Sequence, residues 1–230
     1  MNLLNFLNIK ASSNFEILKA ATVKNKLDEF LSSQMNEMGL VNWNKNYQWS
    51  SDFNEFGVKH VLEYISGKGI SGTFQWGNVF NFIPESRNSK KNLNNKMQLQ
   101  LFERTQGWHE SFETELRSEK YSVSHWNEYF FNKSLPLIFK SEKERITDWF
   151  ISNKNVEQNI ETALRQIRKG GAYEINSPNQ KFILAFLYAK NGDLNLAENT
   201  LYQYYNPLIK LDDEVKSEFE NMEKQLNEMK

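Results

Sequence analysis

The chain contains no cysteine. Disulfides, thiolate nucleophiles and cysteine-ligated zinc are therefore excluded, and a reducing compartment fits. Histidine is almost as scarce, at 3 in 230 residues. His60, His109 and His125 lie far apart and form no H-E-x-x-H or comparable spacing, so no metal site is expected. Neither sign of charge dominates, with 28 Lys and Arg against 29 Asp and Glu. A net charge of −1 supplies no global field to recruit nucleic acid or an anionic membrane. No window approaches the roughly 18 apolar residues of a membrane span. The opening "MNLLNFLNIKASSNF" has no basic residue before its short apolar run, so a secretory signal is not expected. The sequence reads as a soluble, cytoplasmic protein that needs no cofactor.

What is present is apolar and aromatic. Hydrophobic residues make up 39% and aromatic ones 14%, enough for a substantial core. Ser12, Ser13 and Asn14 offer capping oxygens, and Leu27, Leu31, Met35 and Met38 then recur at helical spacing up to Gly39. The pattern predicts a first helix of about 25 residues. "NYQWS" (46–50) and "GVKHVLEYI" (57–65) read as strands. In "ISGTFQWGNVFNFIP", Ile70, Phe74, Trp76, Phe80 and Phe82 share one face, Thr73, Gln75 and Asn81 the other, and Pro84 ends the run. "KMQLQLF" alternates as a further strand, after a basic, Asn-rich loop at 87–96. Sequential strands pair most economically as an antiparallel meander.

From about residue 121 the reading is helical. Ser124 is placed as a cap, Pro136 as an interruption, and the Ser141 to Glu144 capping box as a fresh start. Further helices are expected at 155–169, ended by Gly170-Gly171, and at 178–190, 193–205 and 211–228. The fold class is α+β, with an N-terminal helix packed on a small antiparallel sheet and a C-terminal helical subdomain. The division predicted is 1–151 for the helix-and-sheet unit and 152–230 for helices packed on it, because "ISNKNVEQN" lacks linker composition.

"GKGISG" (67–72) matches G-x-G-x-x-G literally. A dinucleotide site needs those glycines to open a helix, whereas the next residues alternate with period two. A kinase-type loop would need downstream H-R-D and D-F-G motifs, and neither occurs. The glycines are read as a hairpin turn. The aromatic face at 74–82 invites comparison with RNA-stacking sheets, but it is expected beneath the first helix, and nucleic acid is not expected as a partner.

No motif supports a serine nucleophile or singles out an acid/base pair. The alternative reading is a hydrolase or transferase whose site is assembled from scattered groups such as His109, Glu110 and His125. Glu103, Glu110, Glu113, Glu115 and Glu119 make 103–120 acidic, and Glu110, Glu113 and Glu115 are the candidate contacts for a basic protein partner. "FILAFLYAKNGDLNLAENTLYQYY" (182–205) resembles one tetratricopeptide-type helical hairpin, with Ala185 and Ala197 allowing close approach.

"FLSSQMNEMGL", "HVLEYISGKGISGTFQWGNVFNFIP" and "SLPLIFKSEKERITDWF" together resemble a bacterial domain-of-unknown-function family, number four-three-zero-four. The resemblance spans about residues 20–152 and carries over no site residue. Its chains have the size and type of toxin-immunity proteins. The expectation is a non-enzymatic binding protein whose partner is a protein, with immunity against a toxin as its specific form.

Overall fold

The computed structural model describes residues 16–67, 70–84, 97–105, 122–173, 178–210 and 212–229. Helix α1 (Ala20–Glu37) buries Leu27, Leu31 and Met35 of the predicted stripe together with Val23, while Met38 is its C-cap. At 18 residues it is shorter than the about 25 expected. Five strands follow in a meander: β1 (Asn42–Trp43), β2 (Gln48–Ser50), β3 (Val58–Gly67), β4 (Ser71–Phe80) and β5 (Leu101–Arg104). A short β6 (Val123–Ser124) pairs with the start of β4, on Ser71 and Gly72. All pairings are antiparallel. The chain is α+β, as the sequence predicts.

β3 and β4 form a hairpin in register from Val58↔Phe80 to Gly67↔Ser71. The G-x-G-x-x-G match therefore leads into a strand, and its last glycine serves packing. A Cβ on Gly72 would lie 2.1 Å from the Tyr64 hydroxyl. Gly69 falls outside the described residues.

One sheet face carries Trp49, Leu62, Tyr64, Phe74, Trp76 and Phe80, all buried. α1 covers its β2 end, where Trp49 Nε1 donates to Ser32 at 3.2 Å. Phe74 and Trp76 lie instead beneath α2 (Glu128–Ser152), with Phe139 5.7 Å from Phe74 and Arg145 5.2 Å above Trp76. Ile70 departs from the expected pattern, being 45% exposed at the hairpin end.

The other face holds a small apolar cluster of Val61, Leu99 and Phe102, with Met97 and Val79 against it. Here the reading of "KMQLQLF" as one strand is corrected. Pairing begins only at Leu101, and Leu99 and Leu101 enter different cores. The break is at Gln100, whose N–H donates to Asn78 O while its side chain accepts from Phe80 N. Gln48 holds the crossing segment, its amide donating to Met97 O at 2.7 Å and accepting from Met97 N at 2.9 Å.

α2 also corrects two expected helix boundaries. It runs unbroken through Pro136, and Ser141 lies within it, donating to Ile138 O at 2.8 Å. Its cap is Asn127 rather than Ser124. Proline removes one N–H, and a capping-box sequence is equally compatible with a helix interior when tertiary burial holds the helix. Ile138, Phe139, Ile146, Trp149 and Phe150 provide that burial.

α3 (Val156–Lys169), a short turn at Gly171–Tyr173, α4 (Gln180–Lys190), α5 (Leu194–Ile209) and α6 (Asp213–Asn227) complete the chain. α4 and α5 form the predicted helical hairpin, with Ala185, Ala197 and Leu201 fully buried between them. The helices also reach the sheet: Gln166 donates to Phe102 O at 2.8 Å, and Tyr173 to Glu103 at 2.7 Å.

Candidate partner-binding surface

The segment 51–57 leads into β3 and is organised by one asparagine. Asn54 Oδ1 accepts from the backbone N–H groups of Phe56 and Val58, both at 3.0 Å. Its own N–H donates to Val58 O at 3.0 Å, and Gly57 donates back to Asn54 O at 2.9 Å. Gly57 has a φ of +74°, and a Cβ there would meet Asn81 at 2.2 Å. Asparagine folding onto its own backbone before a glycine is standard turn chemistry. Ser51 closes the far side, exchanging hydrogen bonds with the His60 backbone at 3.0 Å.

This tightly bonded loop leaves Phe53 and Phe56, which flank Asn54, 42% and 41% exposed. Lys59 Nζ rests 4.5 Å from the centre of the Phe53 ring. Asp52 and Glu55, their neighbours in sequence, are exposed, and Asp52 accepts from Asn42 Nδ2 at 3.1 Å. Asn54 Nδ2 also donates to Lys154 O at 2.8 Å, fastening the loop to the α2–α3 junction. Ile151, in the last turn of α2, is exposed there as well.

Beneath the loop lies a buried amide network centred on Asn78 of β4. Asn78 Nδ2 donates to Asn159 Oδ1 at 2.6 Å and to Asn153 O at 3.1 Å. Asn78 Oδ1 receives Trp149 Nε1 at 3.3 Å and meets His60 Nδ1 at 2.8 Å. An indole N–H can only donate, so this Asn78 atom is the oxygen and His60 Nδ1 carries the proton. Asn159 Nδ2 donates to Asn153 O and Asn155 O, and Asn153 Nδ2 to Trp149 O. Asn155 then caps α3 in a capping box with Gln158. The His60 ring packs 4.9 Å from Phe150. Burial holds its pKa below the usual histidine value, with Lys154 adding to that and the bond to Asn78 opposing it.

Among the described residues, His125, Tyr64, Glu142, Glu63 and Tyr173 are committed to structural contacts. His125 is buried, its Nε2 2.6 Å from the Tyr64 hydroxyl. Burial pushes the Tyr64 phenol well up, so it faces that nitrogen as a neutral hydroxyl. Glu142 is buried against Arg145 at 2.5 Å. Gln75 donates to Glu63 at 2.6 Å. Burial and the neighbouring Glu103 carboxylate push the Tyr173 phenol up, which suits a hydrogen-bond donor rather than a base.

Of the residues singled out from sequence, His125 is thus in the core, while His109, Glu110, Glu113 and Glu115 lie outside the described residues. Phe53, Phe56, Asn54 and Asn78 escaped the sequence reading. "DFNEFG" carries a signal in retrospect: an aromatic on each side of a turn asparagine has no strand to place it in a core. No family model, curated protein or solved structure matches the chain, so the family resemblance rests on its residue pattern alone.

Proposed function

We propose that this is a protein-binding protein rather than an enzyme, and that the loop at 51–57 supplies its anchor. One observation carries the reading. Two phenylalanine rings stand exposed on a loop whose backbone is already hydrogen-bonded on both sides. Exposed aromatics on a preordered loop lose little conformational entropy on binding, and aromatic residues dominate interface energetics. Asp52 and Glu55, adjacent to Phe53 and Phe56 in sequence, favour a partner with a basic rim around an apolar recess. Neutralisation of a bacterial toxin is the specific form proposed, with Glu110, Glu113 and Glu115 adding acidic charge.

The test is the double variant Phe53→Ala/Phe56→Ala, measured for binding to the product of a neighbouring toxin gene and for protection of cells expressing it. Truncating two anchors at about 2 kcal/mol each weakens binding by roughly a thousandfold. Exposed substitutions of this kind shift stability by only about 0.5 kcal/mol. Wild-type affinity in the double variant removes this loop as the anchor.

A further inference from the structure

We propose that His60 is an acid-sensitive latch on the 51–57 loop: adding a second proton to its ring releases the hold of Asn78 and slackens the loop. This rests on reading the loop as the binding surface, and supplies its regulation.

The ring is held from several elements at once. β4 contributes the uncharged Asn78. α2 contributes the uncharged Phe150 directly and Trp149 through Asn78. The loop contributes Ser51, bonded to the His60 backbone. The junction after α2 contributes Lys154, the charge the ring feels. With Nδ1 as donor to Asn78, the neutral ring keeps a lone pair on Nε2. Protonating Nε2 places a unit charge on a largely buried ring within the field of a like charge. The bond to Asn78 favours that charged form, but burial outweighs it.

Two movements relieve the strain, and both reach the loop. Turning the ring toward water ends its bond to Asn78 of β4 and pulls on the His60 backbone, the β3 residue that Ser51 grips. Shifting the junction away disturbs Lys154 O, the acceptor of Asn54 Nδ2. The sign follows from linkage. The folded pKa is depressed below 6.5, so the unfolded or loosened state binds the proton more readily. The contribution is complete above pH 6.5 and is lost as pH falls from there through the lower folded value.

The free full-length protein suffices for the test, by NMR from about pH 7.5 to about pH 5, which spans histidine titration. The readouts are the His60 ring, the Trp149 indole N–H, and the protection factors of the Phe56 and Val58 amides corrected for intrinsic exchange. The expected result is one shared midpoint below 6.5 and a loss of protection of about tenfold at the loop amides. Lys154→Gln should move that midpoint upward, and His60→Gln should leave loop protection independent of pH. Titration of His60 with flat loop protection overturns the latch, as does a loss that persists in His60→Gln. Should either variant fail to fold, the wild-type titration alone decides. No partner is involved, so a negative result here leaves the binding reading standing, and lost binding in the Phe53/Phe56 variant leaves the latch standing.

Discussion

The two ends of β3 treat a histidine in opposite ways. At the His60 end, the ring lies at the margin of an amide network and within the field of Lys154. Further along the same face, Tyr64 meets His125 in full burial, hydroxyl to Nε2, with the bare backbone of Gly72 against the phenol. Sequence alone distinguishes neither imidazole. The surroundings do: a ring at a polar margin retains a path to a proton, whereas one sealed behind a neutral phenol is a core contact that happens to be polar.

The comparison can be broken most severely at Asn78. Replacing it by leucine removes partners from His60, Trp149, Asn159 and Asn153 O together. Buried groups left unsatisfied cost about 1–3 kcal/mol each, so a loss of about 4 kcal/mol in denaturant titration is expected. The Tyr64 end breaks sterically. Gly72→Ala forces a methyl group into the phenol that bonds His125, and about 2 kcal/mol should be lost, an ordinary figure for overpacking. The tyrosine–histidine bond should lengthen while the Trp149 indole resonance stays in place. Movement of both ends in either variant would mean that the two regions are one cooperative unit.

The smallest effect on stability is expected away from both ends. Reversing Glu110, Glu113 and Glu115 to lysine should slow association with a basic partner at low salt and leave the melting temperature nearly unchanged. Association that keeps its rate removes this stretch from the binding surface.

What the sequence reveals follows from the range of each interaction. β3 and β4 are legible because period-two alternation is local, and the α1 stripe because Leu27, Leu31 and Met35 repeat within one helix. The α2 boundaries are not, since Pro136 and Ser141 send local stop and start signals that distant packing overrides. The candidate surface is less legible still. The bond from Asn54 to Lys154 O joins residues 100 positions apart. Besides the paired aromatics of "DFNEFG", one trace of it is visible in the sequence: Asn78 is an amide on the inward face between Trp76 and Phe80, where an apolar residue would be ordinary. A polar residue at an inward position needs buried partners, which the alternation around Asn78 by itself implies.

The Gln48 side chain has a consequence for how this chain tolerates change in length. By both donating to and accepting from Met97, one amide stands in for a neighbouring strand's peptide group. The far side of residues 85–96 is therefore fastened independently of their own composition, and on the near side β4 ends at Phe80, with Asn81 N donating to Gly57 O at 3.1 Å. Between two fixed ends, doubling a connection costs only about 0.6 kcal/mol of closure entropy. Insertions and deletions can accumulate there while the sheet keeps its register, and a reporter peptide spliced into the same interval should leave the 51–57 surface unaltered.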